Sequence, residues 1–298
     1  MSKIEKLAYK MIMKHDVIAK MAYLNPYYIL WHQVNRKSRL MEIDLRSNTV
    51  VNFNFRGKTF GMNLSPHSMH DRQVYEIAST GGIYDFGLSE FLCSILHPST
   101  TFVDVGANNG YFALLAHSIL DCRGKVIAIE PDPSTYSRLV KNFEINHYTC
   151  ATLLNMGISD REEFLCINES RIEDGLNSFV NLPFANPKTS VKTTTLDLLL
   201  EGDPNDKIIK IDVEGWESKV MKGSSRIFDE KNVTIIFEYN RYIQLRTRKL
   251  GFESPIRLIE GFGYNVRPIL PDGTLGDFIK IEGDLSEPNL NLVATRNK

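Results

Sequence analysis

Cysteine is scarce in this chain of 298 residues: the four present, Cys93, Cys122, Cys150 and Cys166, form no C-x-x-C pair and no dense framework. That pattern speaks against a zinc centre and a disulfide-stapled secreted domain, and leads to the expectation of a reducing compartment. Long apolar runs are missing too. No stretch reaches the ~20 residues a membrane-spanning helix needs, and lysines at 3, 6, 10 and 14 interrupt what would have to be the apolar core of a secretory signal. Cytoplasmic localisation is the resulting expectation. A strong charge excess is likewise absent, with 35 Lys and Arg against 36 Asp and Glu, so nothing pulls the whole chain toward nucleic acid. The imbalance that exists is local: residues 1–40 carry eight basic side chains against Glu5 and Asp16, leaving the remainder acidic.

With 43% apolar residues the chain has material for a large core. Residues 3–24 place Ile4, Leu7, Met11, Ile18 and Met21 at helical spacing, and Asn25-Pro26 stops the helix. It reads as an accessory helix packed on the main domain or on a second subunit. The alternative is a peripheral helix at the inner face of a membrane, using residues 1–31 and the cluster Tyr27-Tyr28-Ile29-Leu30-Trp31. Residues 41–64 alternate, with turns at Arg46-Ser47-Asn48 and Arg56-Gly57, and predict two or three antiparallel strands. Residues 1–69 are therefore read as an N-terminal extension and 70–298 as the main domain.

Within that domain residues 85–97 predict a helix, and from 101 onward apolar strands alternate with helices. The strands are 101–105, 125–130, 151–157, 207–212, 233–238 and 264–269; the helices are 111–120, 133–146, 215–223 and 254–262; NLNLVATR at 289–296 closes the chain as an antiparallel strand. This rhythm predicts an α/β fold, a mostly parallel Rossmann-like sheet covered on both faces. Residues 159–195 break the rhythm with two short strands and turn-rich connections, either the rim of a substrate site or an ordinary surface hairpin.

The first strand runs into a glycine turn, FVDVGANNGYFALLA at 102–116. A dinucleotide site would carry G-x-G-x-x-G, whose second glycine admits a pyrophosphate. Here that place is Asn108, which suits a polar ligand with little negative charge, and S-adenosylmethionine meets that description. Glu130 ends the next strand, where a carboxylate can accept hydrogen bonds from two ribose hydroxyls and would repel a 2′-phosphate.

The segments VDVGANNGYFALLA (103–116), IAIEPDPSTYSRLVKNFEIN (127–146), TTLDLLL (194–200), IIKIDVEGWESKVMKG (208–223) and IIFEYN (235–240) resemble the FkbM-type methyltransferases, a class I S-adenosylmethionine-dependent family. The resemblance covers about 70–270. It implies a seven-stranded sheet, methylation of sugar or polyketide hydroxyls, and a cofactor site lined by Asp104, Gly106, Asn108, Gly110 and Glu130, with Asp160 near the adenine.

A hydroxyl nucleophile needs a proton acceptor. The strands at 207–212 and 233–238 deliver Lys210, Asp212, Glu214, Glu238 and Asn240 to one end of the sheet. Lys210 and Asp212 alternate onto one side, so Lys210 reads equally as half of an internal ion pair. Asp212 is assigned to the cofactor's methionine end or the acceptor, Glu214 to the general base and Glu238 to orientation or acceptor binding. A divalent metal gathered by Asp212, Glu238 and Asn240 is the less favoured reading. His117 reads as a packed histidine, while His67, His70 and His97 precede the glycine turn, where they could line an entrance, with no informative spacing. The expected acceptor is a sugar, glycan or small metabolite. RNA or an amine, or a cofactor-binding module without turnover, are the alternatives; nucleic acid is disfavoured by the acidic main domain.

Overall fold

The computed structural model describes residues 49–170, 177–180, 185–279 and 289–296. The N-terminal helix and the turn at 46–48 read from the sequence lie outside them. Among the described residues no helix is long and apolar enough to cross a membrane.

The described residues open with a hairpin, β1 (Thr49–Phe55) and β2 (Lys58–Leu64). Arg56 and Gly57 both take left-handed φ, 49° and 74°, as a two-residue turn matched to strand twist requires. The inner face stacks Phe53 on Phe60, with Tyr111 against both rings. Helices α1 (Met69–Ser79) and α2 (Phe86–Ile95) follow, each N-capped by a side-chain oxygen, from Ser68 and Asp85 respectively.

Next come β3 (Thr100–Val105), α3 (Tyr111–Leu120), β4 (Lys125–Ile129), α4 (Pro133–Ile145) and β5 (Ala151–Leu154). Pro133 opens α4 at a position where its missing N–H is harmless, and the Asp132 carboxylate accepts from the N–H groups of Ser134 and Thr135. The hairpin packs on α3 and α4. Asn142 of α4 and Asn146, which caps it, accept from the backbone N–H groups of Asn63 and Gly61, both at 2.7 Å, satisfying a strand edge that would otherwise be buried without partners.

A separate three-stranded sheet, ordered β6-β8-β7, is formed by β6 (Gly157–Ile158), β7 (Glu163–Ser170) and β8 (Ala185–Thr194). The chain then returns through α5 (Leu196–Leu199), β9 (Asp206–Ile211), α6 (Glu217–Lys222), α7 (Ser225–Asp229), β10 (Val233–Asn240), α8 (Arg241–Lys249), α9 (Pro255–Gly261), β11 (Asn265–Pro268) and β12 (Asn289–Thr295).

The main sheet has seven strands in the order β11-β12-β10-β9-β3-β4-β5, and only β12 runs against its neighbours. The expected Rossmann-like sheet with an antiparallel closing strand is present. Connections reverse direction between β9 and β3, the crevice where open α/β sheets bind ligands. Side-chain parity divides the strands: Val103, Val105, Ile209, Ile211 and Phe237 enter the apolar core, while Asp104 pairs in register with Lys210, and Lys210 with Ile236, on the opposite face.

The structure adds helices α1 and α8, which apolar spacing did not reveal. α8 buries Ile243, Gln244 and Thr247, a face too polar to register as a hydrophobic stripe. It also shows a pairing that the cysteine pattern did not suggest: Cys122 and Cys150 form a disulfide with a Cα–Cα separation of 5.5 Å. Their spacing of 28 residues conceals the pairing, because β4 and α4 must fold back before the end of α3 meets the start of β5. The pairing removes cysteine content as support for a reducing compartment. Reduction, or Cys122→Ser, should lower stability by roughly 3 kcal/mol from lost loop constraint. Urea unfolding with and without a phosphine reductant measures it, and superimposable curves would show that the link carries no stability.

Candidate active site

The loop between β3 and α3 is held by backbone contacts. Gly106 has φ +81°, and a Cβ there would lie 1.9 Å from the carbonyl oxygen of Asp212. Gly110 has φ +94°, and its Cβ would meet Leu139 Cδ1 at 2.5 Å. Neither position admits another residue without displacement, so conformation and packing explain both glycines. Asn108, also left-handed at φ 51°, donates its N–H to Glu130 Oε2 at 2.9 Å. Glu130 Oε1 accepts from the N–H of Asp132 at 2.9 Å, and Gly106 and Ala107 donate to the carbonyl of Ile129. The acid ending β4 is thus tied to the glycine turn.

A cavity of about 320 Å³ lies over the carboxyl ends of the strands. On the β4–β5 side its wall includes Glu130, Pro131, Met156, Ile158 and Phe179, an apolar slot with an acid at its edge. Asn177, Ser178 and Phe179, from the segment between β7 and β8, close part of that wall, so the insertion at 159–195 does contribute to the rim. On the β9–β10–β12 side are Lys210, Asp212, Glu214, Glu238, Asn240 and Asn289, and α1 with the segment before α2 adds His70, Gln73 and Tyr84.

Of the residues selected from sequence, Gly106, Asn108, Glu130, Lys210, Asp212, Glu214 and Glu238 all line this cavity. Asp104 lies beneath it, fully buried, with Lys210 Nζ 3.3 Å from its Oδ1; the same ammonium is 3.2 Å from Asp212 Oδ2 and 5.1 Å from the centre of the Phe112 ring. Lys210 is therefore an internal ion-pair partner that also reaches the cavity. Burial works against its charge, but Asp104 and Asp212 outweigh burial and hold its proton more tightly than usual. Gly110 acts through packing. Asp160 is not in the cavity wall; its carboxylate meets Lys219 Nζ at 2.7 Å.

Carboxylate oxygens of Asp212, Glu214 and Glu238 lie within 4.8 Å of one another. Burial lifts the Glu238 carboxyl well above the ordinary range; the Asp212 charge adds to this, and a 2.8 Å bond from Asn289 Nδ2 opposes it. Sequence reasoning missed Asn289, Gln73 and Tyr84, and offered His70 only as a residue that could line an entrance. The signal for Asn289 was present: Asn289 and Asn291 alternate on one face of an apolar strand, and Asn291 reaches Asp85 at 2.7 Å.

S-Adenosylmethionine fits these residues. The Asn108 side-chain oxygen is buried and accepts no hydrogen bond from the described residues, a demand that a ligand donor would satisfy. A carboxylate has about four acceptor directions, so Glu130, with two N–H donors, can still receive hydroxyls.

A reversed strand closing a parallel sheet, a glycine turn, and an acid at the next strand end together define a Rossmann-like protein of the class I methyltransferase kind. The sequence profile of the methyltransferase FkbM domain matches residues 104–264, and the chain belongs to this family of S-adenosylmethionine-dependent methyltransferases. It is 29% identical over 135 residues to hexuronic acid methyltransferase AglP of Haloferax volcanii, covering 45% of this chain and 53% of that protein, so the match spans about half of the relative. The structure is similar to methyltransferase FkbM from Methylobacillus flagellatus KT, with TM-score 0.41, 18% identity, and coverage of 68% of this chain and 45% of that one. It is also similar to precorrin-6y C5,15-methyltransferase from Geobacter metallireducens GS-15, with TM-score 0.41, 12% identity, and coverage of 71% and 87%.

The environment of Glu130 makes stability depend on pH. Burial pushes its carboxyl from 4.5 up to about 7, so the folded chain keeps this proton where the unfolded chain has released it. The stabilising contribution is complete below the unfolded value and is lost as pH rises through the folded one. Thermal melts between pH 5 and 8 should show wild type declining relative to Glu130→Gln; parallel profiles would remove Glu130 as the source.

Proposed function

We propose that this protein is an O-methyltransferase that transfers the methyl group of S-adenosylmethionine to a hydroxyl of a sugar or glycan. The observation that carries the reading is the pairing, in one cavity, of the Asp212–Glu214–Glu238 carboxylates with a neutral amide and aromatic set, Gln73, Tyr84, Asn240 and Asn289. Planar amides beside an aromatic ring offer donors and acceptors to a polyhydroxylated ring without needing it to be charged. The hexuronic acid named for the Haloferax volcanii relative agrees with such an acceptor.

Asn108 and Glu130 would hold the nucleoside part of the cofactor, with the apolar slot at Met156, Ile158 and Phe179 taking the base. When bound, the cofactor supplies an electrophilic methyl on a sulfonium. Alignment of the acceptor oxygen with that methyl accounts for much of the rate. Asp212 lies where its charge can face the sulfonium, with Lys210 fixing its side chain. Glu238 is the proton acceptor in this proposal, in place of Glu214, because burial raises its proton affinity and Asn289 aims it. Glu214 then binds a neighbouring hydroxyl.

The test is incubation with methyl-labelled S-adenosylmethionine and a panel of sugars, nucleotide sugars, lipid-linked glycans, uronic acids and RNA. Label on a sugar hydroxyl is expected, with turnover unchanged by EDTA; label confined to RNA or to an amine would overturn the proposal. Glu238→Gln should depress turnover by about 100-fold or more. Binding of S-adenosylhomocysteine, measured by calorimetry, should meanwhile change by less than about threefold.

A further inference from the structure

We infer that Glu217 and Gln244 form a buried crosslink that sets the spacing of the two acid-bearing strand ends, which makes Glu217 a positioning residue for methyl transfer. Both side chains are 2% exposed. Glu217 Oε1 accepts the N–H of Gly215 at 3.0 Å and Oε2 accepts Gln244 Nε2 at 3.0 Å, so each oxygen has its own donor. Glu217 opens α6, just after the loop that carries Asp212 and Glu214. Gln244 belongs to α8, which leaves β10 directly after Glu238 and Asn240. One contact therefore joins the loop that carries Asp212 and Glu214 to the helix that follows the strand carrying Glu238.

That loop needs such an anchor. Glu214 and Gly215 take successive left-handed conformations, φ 50° and 98°, and a glutamate there persists only where its surroundings fix it. Ser178 Oγ donates to the Glu214 carbonyl at 2.8 Å, and Ile243 and Thr247 of α8 pack so closely on Gly215 that a Cβ would come within 2.6 Å of Ile243. The Gly215 N–H is taken up by Glu217. A buried carboxylate used in this way is demanding, since burial lifts its proton affinity to about 7 while its two donors favour the ionised form. A purely apolar contact would hold the helices together but would not aim the Gly215 N–H.

The inference rests on the methyltransferase reading, and the experiment separates the two. Glu217→Ala should lower turnover by about 30-fold or more. S-Adenosylhomocysteine affinity should stay within about threefold, and the exchange variant Glu217→Gln/Gln244→Glu, which keeps an acceptor for Gly215 and a donor–acceptor pair between the helices, should recover most of the turnover. Gln244→Ala, which removes one bond only, serves if Glu217→Ala does not fold. Wild-type turnover in the alanine variants, or an exchange variant as impaired as Glu217→Ala, would overturn the assignment. If wild-type protein methylates nothing in the panel, the functional reading fails, and the crosslink is still read from Trp216, which sits in the loop. With the other tryptophan removed as Trp31→Phe, Glu217→Ala should shift Trp216 emission and the exchange should reverse it; an unchanged spectrum would overturn the crosslink.

Discussion

The closest constraint in the fold is backbone on backbone: Gly106 lies against the carbonyl of Asp212 with no space for a side-chain carbon between them. Asp212 in turn donates its N–H to the carbonyl of Val105, so the end of β9 is stitched to the end of β3 from both directions. This contact brings the cofactor turn and the acid loop together at the reversal of sheet order. Without it the glycine turn would shape a ligand site with no chemistry beside it, and the acids would collect at a strand end with nothing to act upon.

Charge explains how so many ionisable groups share one small volume. Lys210 is flanked by Asp104 beneath and Asp212 above, so each carboxylate offsets part of the burial cost of the ammonium. Glu238 has no ion-pair partner among the described residues, and burial raises its affinity for a proton.

Much of this was legible in the sequence. Strand composition and spacing disclosed the parallel sheet, because short segments rich in β-branched and aromatic residues, such as TTFVDV and DKIIKI, alternate with helical ones. The glycine turn and Glu130 were found because consecutive βα units must bring them together. What escaped depended on tertiary approach. His70, Gln73 and Tyr84 reach the cavity only through the packing of α1 and the following segment, and the Cys122–Cys150 link only after β4 and α4 fold back. Glu217 stood inside the motif that carried the resemblance, yet its function is invisible until Gln244 is seen facing it. Asp160 illustrates the converse: its place near the adenine was implied by likeness alone, and Lys219 accounts for its carboxylate.

The reversal of β12 has an effect on how the late sequence serves the cavity. Because that strand starts where its parallel neighbours finish, its first residues, Asn289 and Asn291, stand nearest the opening, and they address Glu238 and Asp85. A slip of one position along β10 would exchange Asn289 for Leu290, setting a hydrocarbon against the carboxylate while turning the amides to the other side of the sheet. A deletion or insertion in the connection before Asn289 would thus silence the pocket without touching any residue inside it, provided the sheet kept its strands and lost only their alignment.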